Sequence, residues 1–270
     1  MDSSLKDKTI VITGAAQGLG LGMAAELGRR GGSIMIADLQ EEKAAAEAAK
    51  LRDAGLDVQS GRLDVTDSAQ VDGFFESFAK ERGHLDVLVN SAGLGQTVSH
   101  VVELSDEEWN RVLAVTLTGT FYTCRATGRI MERQESGSIV NISSINGQVP
   151  AALVAAYNVA KAGVISFTTT LAMELAPYGV RVNAVCPGPV YTDFNKKMMA
   201  ERAVSLNVTE EDMIERIRGA VPLGRWGKPE DIARGVAYLA GPESSWVTGE
   251  VLTVSGGLKG VSAAPPKRAK

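Results

Sequence analysis

At 270 residues and 44% hydrophobic content, the chain is long enough for one large α/β domain or two small ones. Its net charge of −4 gives no electrostatic case for nucleic acid, and no run of 18 apolar residues calls for a membrane span. Cys124 and Cys186 lie far apart in apolar contexts, which predicts buried thiols in a reducing, cytoplasmic compartment. His84 and His100 have no further ligand-type residue at metal spacing, so no metal site is expected. The start, MDSSLKDK, is polar and does not read as a signal peptide.

In chain order, Lys8 to Thr13 reads as a short apolar strand, followed by a turn rich in glycine at Gly14, Gly18 and Gly20. Leu19 to Arg30 reads as a helix and Ser33 to Ala37 as a second strand ending on Asp38. A helix beginning at such a turn directs unpaired N–H groups and a partial positive charge at its opening, which suits a dinucleotide pyrophosphate. An acid after the second strand suits a ribose diol. Helix is predicted next over Glu41 to Ala54, strand over Asp57 to Leu63, and helix over Ser68 to Arg82. In that last helix Val71, Phe74, Phe75 and Phe78 are spaced as core residues. A strand over Asp86 to Val89 ends at Asn90-Ser91-Ala92-Gly93. Ser105 and Glu108 form a capping-box pattern, and the helix they open is predicted to run past Trp109 to about Met131.

Ser138 to Ile142 is the fifth predicted strand, Ala155 to Ala176 a long helix, and Val180 to Val185 the sixth strand. Residues 190–222 are charged and helical in parts, Pro229 to Leu239 is the last helix, and Val251 to Val254 the seventh strand. No composition break divides the chain, so residues 1–261 read as one domain and residues 262–270 as a flexible tail. The alternation predicts a doubly wound, mainly parallel seven-stranded sheet of Rossmann type, with ligands outside the carboxyl ends of the strands.

Tyr157 and Lys161 are four apart at the start of a predicted helix and therefore share a face. A tyrosine is a poor base near neutral pH, and a nearby ammonium lowers its pKa towards the working range. Ser144, thirteen residues upstream, supplies a hydroxyl that can hold a substrate oxygen as charge develops.

Together, Thr13–Gly20, Asn90–Gly93, the Ser144/Tyr157/Lys161 trio, and Arg181 to Gly188 followed by Thr192 resemble the short-chain dehydrogenase/reductase family in its common form of about 250 residues. The resemblance covers roughly Leu5 to Gly257. It implies Tyr157 as general acid/base, Ser144 as the orienting hydroxyl, and Lys161 as the group that tunes the tyrosine and holds a ribose. It implies a cofactor cleft formed by Gly14, Gln17, Gly18, Leu19, Gly20 and Asp38. Asp64 and Val65 would bracket the adenine. Asn90, Ala92 and Gly93 would line the cleft, and Pro187, Gly188, Val190 and Thr192 would hold the nicotinamide end. Thr116 stands where the family carries an asparagine that supports a proton-relay water; its hydroxyl and carbonyl are candidates for that role. Ser91 and Ser255 also replace residues common in the family.

Asp38 would accept from both ribose hydroxyls and repel a 2′-phosphate, while Gln17 and Leu39 are uncharged where NADP users offer a basic residue. NAD is therefore expected over NADP. Residues 190–222 resemble the family's substrate lid, with Gly95 to Val98 and Asn146 to Val154 as further walls. Gln96, Asn146 and Gln148 are candidate hydrogen-bonding groups for a hydroxylated substrate. The expected reaction is NAD-dependent interconversion of a small secondary alcohol, such as a polyol or sugar, and its ketone. The alternatives are a 3-oxoacyl-thioester reductase, a hydroxysteroid dehydrogenase, and a non-catalytic dinucleotide-binding protein. A homotetramer is implied by the resemblance.

Overall fold

The computed structural model describes residues 4–206 and 208–260; the predicted tail, 262–270, lies outside them. Seven strands form one sheet: β1 (Thr9–Thr13), β2 (Ser33–Asp38), β3 (Val58–Arg62), β4 (Val87–Asn90), β5 (Gly137–Ile142), β6 (Val180–Pro187) and β7 (Val251–Val254). Their spatial order is β3-β2-β1-β4-β5-β6-β7, and every pairing is parallel. Parallel strands are covered on both faces, and the central ones read accordingly as unbroken apolar runs such as Ile10-Val11-Ile12 and Val87-Leu88-Val89. At the edge, β3 carries exposed Gln59 and Arg62, which discourage further pairing.

Connections from β1 run to one side and those from β4 to the other. The order therefore reverses between β1 and β4, opening a crevice at their carboxyl ends. One face of the sheet is covered by α1 (Gly18–Arg29), α2 (Glu41–Asp53) and α10 (Pro229–Ala240), whose Met23, Leu27, Ala44, Ile232 and Val236 join Ile10, Ile34 and Val89 in one core. The other face is covered by α3 (Ser68–Arg82), α5 (Gly119–Gln134) and α7 (Ala155–Leu175), with α4 (Asp106–Leu113) packed on α7. There Phe75, Phe78, Ile130, Met131 and Leu175 pack on Val11, Leu88 and Val182. As the sequence indicates, Val71, Phe75 and Phe78 are buried and Phe74 packs against them.

Three local features differ from the sequence expectation. The long helix after Ser105 is broken by a π turn over Ala114–Thr118, where the Gly119 N–H reaches back to the Ala114 carbonyl. The capping box is only half made. Ser105 accepts from the Glu108 N–H, but the Glu108 carboxylate turns to Arg111 and the Thr97 N–H. A short helix, α6 (Ile145–Gln148), follows β5 in a stretch to which the sequence reading assigns no element. The segment Ala155–Tyr178 is also long and apolar enough to cross a membrane by length and composition. In the fold it lies as α7 and its 3₁₀ extension (Ala176–Tyr178) against β5, β6 and the helices α4 to α6.

The turn after β1 depends on glycine. Gly14 has φ +65°, and a Cβ there would stand 2.6 Å from the Ala92 Cα on the loop after β4. Replacing Gly14 by alanine meets both the left-handed backbone and that contact, so G14A is expected to lose about 2 kcal/mol or more in denaturant unfolding. An unchanged midpoint would contradict this reading of the crevice.

Candidate active site

The crevice contains an open cleft. One end is the turn of Gly14 and Gln17 to Gly20; the middle holds Ser144, Tyr157 and Lys161; the far wall is Pro187 to Val190 and Thr192. The chain's first helix opens on this cleft with Gln17 extended at its N-cap and Gly18 at φ +58°, facing open space. A Cβ on Gly20 would fall 2.4 Å from the Gly14 carbonyl oxygen, so the helix start lies flush against the turn. The first helical N–H groups have no intrahelical partner, and a side chain-free turn lets a phosphate reach them. The donor set and shape fit a dinucleotide pyrophosphate.

Asp38 ends β2 and is buried. Its carboxylate accepts from the Ala16 N–H at 3.0 Å and the Gln40 N–H at 2.9 Å, which pins it beside the turn and leaves a lone pair on each oxygen. Leu39 is exposed, and Lys43 from the first turn of α2 donates to the Gln17 side chain. The sequence reading did not place Lys43 here. Asp64 and Val65 follow β3 on the same rim. The Thr66 hydroxyl and N–H hold the Asp64 carboxyl below its ordinary pKa, and Val65 is buried beneath Gly119.

Ser144 caps α6: its Oγ accepts from the Asn146 N–H at 3.1 Å. That contact occupies an acceptor site, and the hydroxyl hydrogen-bonds to Tyr157. Lys161 is buried, and its Nζ donates to the Ile142 carbonyl at 2.7 Å. The Lys161 carbonyl in turn accepts from the Ser143 hydroxyl at 2.7 Å, locking α7 to the end of β5. The trio is thus held by one strand end, that of β5, and the start of α7.

The electrostatics correct one expectation. Burial pushes the Tyr157 phenol above its ordinary pKa; the Ser144 hydrogen bond works against this, and the neighbouring Cys186 adds to it. The Lys161 ammonium is directed to the Ile142 carbonyl, with its Nζ 5.8 Å from the Tyr157 ring centre. Burial pushes Lys161 itself down to about 8. Both cysteines are buried and free, and burial raises both thiols, Cys124 to about 12. Neither is poised as a nucleophile. Among the described residues no cluster of three or more His, Cys, Asp or Glu could hold a metal ion.

Several predicted contacts do not reach the cleft. The Asn90 side chain is buried beneath the rim, donating to Asn141 and Cys124 and accepting from Thr123. Ala92 backs Gly14, with its N–H on the Thr13 hydroxyl, while Gly93 does line the cleft. Thr116 sits in the π turn: its hydroxyl accepts from the Leu94 N–H, and its carbonyl accepts from the Thr120 hydroxyl. It therefore ties the loop after β4 to the helix, and both its hydroxyl and the Lys161 Nζ stand within 4 Å of where a Cβ on Gly93 would lie. Gln96 is buried with its amide divided between the Ala156 N–H and the Leu153 carbonyl, so it props the start of α7 rather than facing substrate. Gln148 is exposed and accepts from Thr253. Of the three polar substrate candidates only Asn146 lines the cleft, and Gly95 to Val98 do not contribute.

The cleft is covered instead by α8 (Asp193–Leu206) and α9 (Glu210–Ala220), through Asn195, Met198, Met199, Arg202 and Ile217, with Trp226 beside them. Arg202 and Trp226 were not singled out from the sequence. The spacing Asn195, Met198/Met199, Arg202 is one helical face and carries the signal.

Comparison with known proteins bears on the family and the fold. The enoyl-(acyl carrier protein) reductase family model matches residues 14–259. The 3-oxoacyl-(acyl-carrier-protein) reductase FabG of Chlamydia pneumoniae is 34% identical over 258 residues, spanning 96% of this chain and 99% of its own length. A variant of actinorhodin polyketide ketoreductase, solved with NADPH, superposes with a TM-score of 0.90 at 34% identity, covering 97% of this chain and 100% of that one. NAD⁺-bound xylitol dehydrogenase also gives 0.90, at 32% identity, covering 94% of this chain and 99% of that one.

The depressed Lys161 pKa has a consequence for stability. Between about pH 8 and its unfolded value of 10.5, Lys161 is neutral in the folded chain and protonated in the unfolded one. The unfolded state binds the extra proton there, so this group's contribution to stability rises with pH across that window and is a constant penalty below it. K161M removes the effect. The stability difference between K161M and the wild-type chain should shift by about 3 kcal/mol in favour of wild type between pH 8 and 10.5, measured by denaturant titration without cofactor. A pH-independent difference would refute the depressed pKa.

Proposed function

The chain belongs to the short-chain dehydrogenase/reductase family, and from that premise we propose that it is an NAD-dependent oxidoreductase interconverting a small secondary alcohol and its ketone. The observation that carries the reading is the Ser144–Tyr157 hydrogen bond, set beside buried Lys161 in the same cleft as the glycine turn. The nicotinamide dinucleotide, when bound, supplies the hydride-exchanging carbon.

The chain supplies the rest. Gly14 and Gln17 to Gly20 would hold the pyrophosphate, Asp38 the adenosine ribose, and Asp64 and Val65 the adenine. Gly93, Lys161, Pro187, Gly188, Val190 and Thr192 would hold the nicotinamide end. Tyr157 moves the proton of the substrate hydroxyl. Ser144 hydrogen-bonds the substrate oxygen in place of the phenol, with its own lone pair kept on the Asn146 N–H. Proton transfer requires a phenol less basic than burial alone makes it. A Lys161 ammonium turned from Ile142 towards Tyr157 would lower that pKa. Residues 190–222, as α8 and α9, act as the substrate lid.

Asp38 supports NAD, since a buried carboxylate beside the ribose site repels a 2′-phosphate. A second reading, an NADPH-dependent 3-oxoacyl-thioester reductase, is favoured by one observation. Lys43 reaches Gln17 at the same end of the cleft and offers a cation for that phosphate. The similarity to the Chlamydia pneumoniae reductase supports it equally. Two buried free thiols support a cytoplasmic location. Exposed Phe121, Val159 and Met173 on α5 and α7 support assembly through these helices into a homotetramer, which sedimentation should report as four copies.

The test is nucleotide reduction by the purified protein across polyols, sugars, hydroxy acids, 3-hydroxyacyl thioesters and steroids, with NAD⁺ and with NADP⁺. We expect turnover with NAD⁺ on an alcohol. Preference for NADP⁺ with thioesters selects the second reading. Y157F should lower kcat at least 1000-fold while dinucleotide affinity stays within about threefold, since it removes one hydroxyl from the proton path. Undiminished turnover in Y157F overturns the mechanism. Dinucleotide binding with no turnover on any substrate leaves a non-catalytic binding protein.

A further inference from the structure

Among the described residues the cleft wall holds two cationic side chains, Lys161 and Arg202, and no aspartate or glutamate, in a chain of net charge −4. Lys161 belongs to the cofactor end. Arg202 comes from α8, on the side that covers the substrate space, and no step of the proposed reaction uses it.

Arg202 is poorly satisfied for a guanidinium. One terminal nitrogen donates to the Ala152 carbonyl at 3.2 Å, while Nε is buried with no hydrogen-bond partner. Among the described residues no carboxylate lies within ion-pair distance of it. The adjacent Glu201 turns to the Val98 N–H instead. Burial lowers its pKa, as expected for a cation removed from water without a counter-charge. Trp226 lines the same cleft, and its indole Nε1 is a second buried donor without a hydrogen-bond partner. Arginine, with its planar fork of N–H groups, matches an oxyanion by paired hydrogen bonds. Met198 and Met199, on the same face of α8, give that end of the cleft an apolar lining that strengthens such a contact.

Resting on the reading that this cleft binds a carbonyl or alcohol substrate at Ser144 and Tyr157, we propose that the substrate carries an oxyanion, a carboxylate or a phosphate, bound by Arg202 with help from Trp226. The polar substrate group then comes from the lid, and the neutral polyols of the sequence reading are disfavoured. The Ala152 carbonyl keeps the guanidinium oriented before substrate arrives.

The test uses the full-length protein saturated with NADH and, separately, with NADPH. Calorimetric titration with oxo-carboxylates of four to eight carbons is compared with their methyl esters. A second arm compares a 3-oxoacyl pantetheine thioester with and without its 4′-phosphate. One arm should show the charged ligand bound at least tenfold more tightly than its neutral partner, and that arm identifies the oxyanion. R202M should weaken the charged ligand about 10- to 100-fold and leave the neutral one within about threefold, while R202K recovers part of the loss. W226F should weaken it several-fold. In turnover, the R202M loss should fall on KM, with kcat and dinucleotide affinity little changed. Charge-dependent binding without turnover keeps this site and refutes the reduction. Turnover with equal affinity for charged and neutral ligands keeps the reduction and refutes this site. An equal loss on both ligands in R202M also refutes it and makes Arg202 a latch to Ala152. Should R202M fail to fold, the wild-type ester comparison and W226F decide alone.

Discussion

Everything in this molecule depends on a parallel sheet whose order reverses once. Seven parallel strands bring seven carboxyl ends to one rim, and the reversal between β1 and β4 parts the loops there. The opening survives only because the two loops beside it meet backbone to backbone, with Gly14 against Ala92 and the Thr13 hydroxyl taking the Ser91 and Ala92 N–H groups. Residues separated by more than 100 positions, from Gly14 to Tyr157, thereby face one space.

Beneath that rim runs a chain of buried polar side chains. Asn90 and Asn141 end adjacent strands and bond to each other. Thr123 closes one end, and Thr168 the other. Each amide is satisfied, so the network stiffens the strand ends instead of penalising them. The Asn90 side chain is thereby committed to β5 and α5. The site is built on this floor, with Ser143 and Lys161 joined across β5 and α7 above it.

The fold was legible because its signals are local and repeated. Apolar strand runs, the glycine turn, and the i, i+4 tyrosine and lysine each depend on a few neighbours. Most strand and helix ends fell within one or two residues of the observed ones. What escaped the sequence reading were properties set by distant partners. Gln96 and Gln148 are polar and close to the site in sequence, but their bonds go to the start of α7 and to β7. The lysine effect on the tyrosine is plausible from spacing alone. Yet the direction of Nζ is decided by the Ile142 carbonyl, which spacing does not reveal. Arg202 and Lys43 looked like ordinary surface cations in charged helices; only the docking of α8 over the cleft and of α2 beside the turn distinguishes them.

The π turn at Ala114–Thr118 amounts to one surplus residue inside a helix. One residue is about 100° of rotation. The stripe by which α4 grips α7, through Trp109 and Val112, is therefore out of phase with the stripe by which α5 lies on the sheet, through Cys124 and Met131. A continuous α-helix would have to choose one of these two partners. The surplus residue lets a single rod serve both, and it acts as a gear between two layers of the molecule. It also fixes which kinds of change the lineage can tolerate there. Substitutions within the turn alter side chains, whereas losing a single codon would rotate the buried face of α5 away from the sheet it now lies on.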